Sequence, residues 1–333
     1  MSKGKLLYRL FLLGMVLAIV LAAIPIVASD LFREPYSPLW STVYDILDLF
    51  QIDPYPTGGG APPRFPYWRN PADDFLYYRD VTLTTADGVN LAASYVPALT
   101  DGAPDRHPTV LLCHGLQDHK ETMLNLVPWL HRAGYNVMLF DFRGHGASDK
   151  RPTTIGRLEA LDVEAALDWL EAEGVGESIG GLGMSLGAAA LVNAAVEDPR
   201  LDALVLDSLF ADWGDTDFAR DYRLPPEWLV PDVPNPVDII PRVHVPVFII
   251  HGTADILASV DHARRLYAAA NEPKEMWIND SGHAWSAWTY PELYREKVLD
   301  FFGRWLRAPL ERGTGSDRAQ TALPTTPTGG GSP

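Results

Sequence analysis

Between Tyr78 and Leu306, short apolar runs alternate with segments whose apolar residues recur at helical spacing. VTLTTADGVNLAASYVP (81–97) alternates with period two around Asp87-Gly88, which predicts a hairpin. TVLLCHG (109–115), NVMLFDFRGHG (136–146), LDALVLDSLF (201–210), VPVFIIHG (245–252) and EMWIND (275–280) predict strands, as does the run ending near Met184. The segments 121–132, 157–171 and 186–196 predict helices between them. A closing helix carries Leu293, Tyr294, Val298, Phe301, Phe302 and Trp305 on one face, with Pro291 suited to its first turn. Apolar strands separated by helices imply a mostly parallel sheet covered on both faces, an α/β architecture spanning residues 77–308.

The ends of the chain follow other patterns. Residues 10–28, LFLLGMVLAIVLAAIPIVA, are uncharged and follow Lys3, Lys5 and Arg9. That run is long enough to cross a bilayer as a helix, and the basic flank places the amino terminus in the cytoplasm and all that follows Ser29 outside it. A retained anchor over residues 1–29 is the favoured reading. The competing one is a cleaved signal peptide, for which Val27-Ala28-Ser29 supplies small residues. Residues 30–76 read as a linker rich in proline and aromatics, with a short amphipathic helix at 41–50, and residues 309–333 as a polar disordered tail.

Within this pattern GLGMSLGAAA (181–190) sets a single hydroxyl, Ser185, between a strand and a helix. G-x-S-x-G at such a junction is a nucleophile elbow: the serine backbone is strained, and Gly183 and Gly187 remove side chains that would collide. The alternative is a glycine-rich turn with a helix-capping serine. A serine attacks only if a base takes its proton, and the base needs a carboxylate to orient it. His283 follows MWINDSGHAW and Asp255 follows VFIIHGTAD, each on a loop leaving a strand, at the same carboxyl edge of a parallel sheet as Ser185. Asp207, ending VLDSLF, is a rival for the acid; Asp280 is more suited to shaping its loop. Two backbone N–H groups, of Leu116 after the first parallel strand and of Leu186 after the serine, form the expected oxyanion hole. His114, Asp118 and His119 lack a completing ligand set, so no metal is expected. Arg143-Gly144-His145-Gly146 reads as a structured turn beside the pocket.

The stretches HGLQDHKETM, FDFRGHGASD, GLGMSLGAAA, NPVDIIPRVHVPVFIIHGTAD and SGHAW, in this order over residues 78–307, resemble the α/β-hydrolase superfamily, particularly its serine aminopeptidase-like and prolyl-oligopeptidase-like small hydrolases. The resemblance implies an eight-stranded sheet, a Ser185-Asp255-His283 triad, no cofactor, and hydrolysis of an ester, amide or related acyl bond. One departure is ILASVDHA after Asp255, where many relatives carry a proline; it bears on the pocket wall more than on the acid. A short cap insertion at about 211–244 holds Trp213, Phe218, Tyr222 and Trp228, which either wall an apolar pocket or pack the loop on the body.

Composition narrows the function classes. The 333 residues are 47% hydrophobic, enough for a sizeable core, and the formal charge of −16 argues against nucleic-acid partners. The single cysteine, Cys113, excludes an internal disulfide and CxxC chemistry, and its apolar surroundings suit burial. A membrane-anchored serine esterase acting on a small-molecule substrate is the leading expectation, with peptidase, thioesterase and acyltransferase as neighbours on the same triad. A catalytically silent surface module is the alternative class. A dehalogenase would want a carboxylate where Ser185 stands.

Overall fold

The structure, a computed structural model, describes residues 71, 76–98, 107–175, 178–216 and 233–306. The sequence-predicted anchor, most of the linker, the tail, and Phe218, Tyr222 and Trp228 of the cap lie outside the described residues. Among the described residues no helix is long and apolar enough to cross a membrane.

Eight strands form one sheet in the order β1-β2-β4-β3-β5-β6-β7-β8. They are β1 (Arg79–Thr84), β2 (Asn90–Val96), β3 (Thr109–Cys113), β4 (Asn136–Phe140), β5 (Ile179–Met184), β6 (Leu201–Asp207), β7 (Val247–Gly252) and β8 (Lys274–Asn279). The β1–β2 hairpin turns at Gly88, whose φ of 81° suits glycine, and β2 pairs antiparallel with both β1 and β4; every other pairing is parallel.

Strand alternation splits the core in two. On β3, Leu111 and Cys113 join one cluster while Val110 and Leu112 join the other. The first face is covered by α2 (Glu159–Ala172), α3 (Leu186–Glu197) and α4 (Val260–Ala269) through Val163, Leu167, Leu191 and Leu266. The second is covered by α1 (Val127–Arg132) and α5 (Pro291–Trp305) through Leu130, Tyr294, Val298, Phe301 and Phe302. A sheet dry on both sides explains why β3 and β5 read as continuous apolar or glycine runs rather than alternating ones. Each fully buried aliphatic side chain contributes roughly 1.5–3 kcal/mol.

Two helical readings change. The helix expected over 121–132 is a 3₁₀ turn at Lys120–Met123 followed, after a bend, by α1, which begins beside Pro128. Proline has no N–H and crowds the preceding turn, so it belongs in the first turn of a helix and not its middle. Conversely α4 forms where no element is expected from the sequence; Ser259 precedes it, Asp261 sits in its first turn, and Ala263 and Leu266 belong to its buried face.

Candidate active site

Every side chain of the predicted triad stands at the carboxyl ends of the parallel strands. Ser185 follows β5 directly, with φ 51° and ψ −108°, a conformation strained for a residue with a Cβ. Its N–H donates to the Asp207 carbonyl at 2.9 Å, and its own carbonyl accepts the Ala189 N–H at 3.1 Å, opening α3. The hydroxyl makes no capping bond to the helix, so Ser185 holds the cap position in the chain without capping. Met184 and Leu186 are buried on either side, while Ser185 is only partly so. The flanking glycines permit this sharp turn. A Cβ on Gly187 would overlap the Cys113 carbonyl, and one on Gly183 would press into the α3 backbone.

The loops after β7 and β8 are laced together. Thr253 N–H donates to Asn279 O at 2.7 Å and Ala254 N–H to Ser281 O at 3.1 Å, while Gly252 leaves room for the Ser281 backbone that a Cβ would displace. This lacing delivers His283 to Asp255: Nδ1 of the imidazole lies 2.7 Å from Asp255 Oδ2. The other oxygen, Oδ1, accepts the N–H groups of Leu257 and Ala258 at 2.9 Å each. Burial pushes the Asp255 carboxyl up, but His283 and His251 beside it outweigh burial and hold it below the usual carboxylate range. With Nδ1 occupied, Nε2 is the ring nitrogen left for other work.

Asp207, the rival acid, takes a different partner. Its Oδ1 accepts the Ser208 hydroxyl at 3.0 Å, and Ser208 Oγ in turn accepts the N–H of Ala284, the residue after His283, at 2.8 Å. Ser208 and Ala284 both have positive φ, 55° and 56°. Asp207 therefore reaches the imidazole loop through its backbone, not the imidazole itself.

The loop after β3 is braced by two histidines that sequence reading assigned no such task. Phe142 N–H donates to His114 Nε2 at 3.0 Å, so His114 carries its proton on Nδ1, which faces Gly115 O at 2.8 Å. His145 Nε2 accepts the Gln117 N–H at 3.4 Å, with Nδ1 facing Arg143 O at 2.9 Å. Burial lowers the pKa of both rings, which suits neutral structural roles. Their partners lie about 28 residues away in sequence, so no local pattern marked them. The braced loop carries Gly115 past the serine: a Cβ on Gly115 would stand 3.9 Å from Ser185 Cβ and 3.1 Å from Asp118 Oδ2. Burial pushes the Asp118 carboxyl up to about 6 against the pull of His119 and His283. The N–H groups of Leu116 and Leu186 donate to no acceptor among the described residues.

Trp213 packs edge-on against Phe210, with ring centroids 5.5 Å apart, and is half-buried against the first core cluster.

Comparisons with known proteins bear on the family and the fold. The family model Hydrolase_4, serine aminopeptidase S33, matches residues 104–223, a span that includes Ser185 but ends before Asp255 and His283. An uncharacterized protein of Mycobacterium tuberculosis, Rv2307c, is 36% identical over 232 residues, 68% of this chain and 79% of its own. The esterase Pf2001 of Pyrococcus furiosus superposes with a TM-score of 0.63 at 30% identity, over 73% of this chain and 98% of that one. The α/β hydrolase GrgF of Penicillium sp. sh18, at 20% identity and TM-score 0.60 over 69% of this chain and 99% of its own, shares the fold. With an eight-stranded, mostly parallel sheet and a serine at the turn from β5 into α3, the chain belongs to the α/β-hydrolase superfamily.

Proposed function

We propose that the protein is a serine hydrolase that cleaves an ester or related acyl bond through an acyl-enzyme intermediate, with Ser185 as nucleophile, His283 as general base and acid, and Asp255 as the orienting carboxylate. The observation that carries this reading is the uncapped Ser185 in its strained turn, at the same sheet edge as an imidazole whose Nδ1 lies 2.7 Å from a buried carboxylate. His283 Nε2 takes the Ser185 proton as Oγ bonds to the carbonyl carbon, and the π pair moves onto the carbonyl oxygen. Leu116 and Leu186 N–H groups receive that oxyanion, and the α3 amino terminus adds its positive dipole end. Collapse expels the alcohol, which takes the proton from Nε2. Water then repeats the sequence on the acyl-serine and releases the acid. Asp255 holds the tautomer and stabilises the imidazolium.

Cleavage of an amide uses the same steps with an amine leaving, and the aminopeptidase description of the matching family model keeps a peptidase as the second reading. On either reading we propose that residues 10–28 tether the domain on the outer face of a membrane and that Trp213, Phe218, Tyr222 and Trp228 either wall an apolar substrate pocket or pack the cap loop on the body. Retention of the full-length chain in washed membranes tests the tether; a shortened amino terminus in the soluble fraction refutes it.

Fluorophosphonate labelling of wild type beside Ser185→Ala tests the nucleophile. Label on wild type alone is expected; label on both proteins, or on neither, overturns the assignment. A series of p-nitrophenyl esters beside aminoacyl anilides then separates esterase from peptidase.

A further inference from the structure

A second histidine touches the carboxylate assigned to the triad. His251, the penultimate residue of β7, is fully buried, and its Nε2 lies 2.8 Å from Ala258 O and 3.2 Å from Asp255 Oδ2. Both neighbours are acceptors, so the proton of this ring stands on Nε2. Around Asp255, Oδ1 takes two backbone N–H groups and Oδ2 faces His283 Nδ1 at 2.7 Å, with His251 Nε2 3.2 Å away as its N–H donates to Ala258 O. Nδ1 of His251 is buried and has no hydrogen-bond partner among the described residues.

We propose that His251 is a positioning residue of the triad, whose Nε2–H fixes the rotation of the Asp255 carboxylate and competes with His283 for Oδ2, weakening the hold of the carboxylate on the His283 imidazolium. This rests on the hydrolase reading above. Charge and shape argue for it together. A carboxylate whose oxygen also faces a second N–H presents less negative potential to the first, so it stabilises the His283 imidazolium less than an unshared aspartate would. Two amide donors and the His283 ring, with the His251 N–H edge 3.2 Å away, leave the carboxylate one orientation, which places the imidazole.

The titratable groups facing His251 come from every neighbouring element: Asp255 on its own loop, Asp207 at the end of β6, His262 on α4, His283 after β8, and Tyr294 of α5 behind Asp207. Burial favours the neutral His251 ring, the adjoining Asp255 carboxylate opposes it more strongly, and the pKa stands above the usual imidazole value. Protonation of His251 would sharpen the competition for Asp255.

Two measurements test the proposal in the full-length protein. Long-range proton–nitrogen correlation spectra of ¹⁵N-histidine-labelled wild type are expected to show His251 protonated at Nε2; a bare Nε2 overturns the proposal without any variant. The pH dependence of the fluorophosphonate labelling rate at Ser185 is then compared among wild type, His251→Phe and His251→Gln. Phe removes the donor, and the acid-limb midpoint is expected to rise by roughly half a pH unit or more. Gln can present an N–H to the same two acceptors, and its midpoint is expected near that of wild type. A Phe variant that lowers the labelling rate without moving the midpoint, or a Gln variant displaced as far as Phe, overturns the proposal and leaves His251 a packing residue. If the Phe variant does not fold, the wild-type tautomer and the Gln midpoint decide. Wild type that takes no label at any pH would instead remove the hydrolase reading, and the tautomer spectrum would still judge the contact of His251 with Asp255.

Discussion

The exits of β6 and β7 lie side by side on the sheet, and each presents a buried aspartate, yet the two carboxyls have opposite character. Asp255 accepts from two backbone amides and faces two imidazoles, and it is held below the usual carboxylate range. Asp207 accepts the Ser208 hydroxyl through Oδ1 and faces the hydroxyl of Tyr294, with no backbone amide among the described residues converging on it, and burial pushes it up to about 6. Residue type and strand-end position are common to both. The number of donors that converge on each carboxylate separates them, and with it the capacity to stabilise an imidazolium.

The largest break in this comparison comes from Asp255→Asn. An amide favours the wrong His283 tautomer, leaving a protonated Nε2 that cannot take a proton from Ser185. The expected loss in kcat/KM on a p-nitrophenyl ester is about 10⁴-fold, with the fold retained by circular dichroism.

Asp207→Asn acts instead on stability, and the sign follows from linkage. The folded-state pKa of about 6 stands above the reference value of 3.8, so the folded state binds this proton more tightly. The associated stability is present at low pH and is lost as pH rises between these two values. The wild type then carries a cost of up to about 3 kcal/mol at neutral pH, at about 1.4 kcal/mol per pH unit. The amide variant lacks that cost while keeping an acceptor for Ser208. Urea denaturation at pH 4.5 and 7.5 is expected to show the stability of the variant rising relative to wild type at the higher pH; a gap independent of pH would contradict the assignment.

Ser208→Ala is the mildest probe. It removes the acceptor for the Ala284 N–H and the donor for Asp207, with an expected fall of about 1 kcal/mol in stability and a severalfold drop in kcat. Unchanged turnover would show that the His283 loop holds its place without β6.

The elements of this candidate site were legible in the sequence because the chemistry proposed for it forces a local pattern. Ser185 needs glycines around it, and Asp255 and His283 must leave neighbouring parallel strands in a set order. Choosing between Asp255 and Asp207 was harder, since both end strands; hydrogen bonding, which is tertiary, separates them. His251 was read as one residue of an apolar strand, because nothing in HGTAD reveals that its ring turns back to a carboxylate four residues on. His114 and His145 were obscured for a similar reason, as their partners are distant in sequence. The helix expected over 121–132 breaks at Pro128, because its periodicity runs across a residue that begins helices, and α4 is marked in the sequence only by Ser259 and Asp261 at its start.

The lone thiol offers an unplanned clock. Cys113 is fully buried at the end of β3, and its carbonyl lies against Gly187 in the first turn of α3. An alkylating reagent can meet that sulfur only when the helix after Ser185 lifts from the sheet or the whole domain opens. The rate at which a maleimide consumes it, set beside the global unfolding rate, reports how often the reactive corner of the enzyme comes apart by itself.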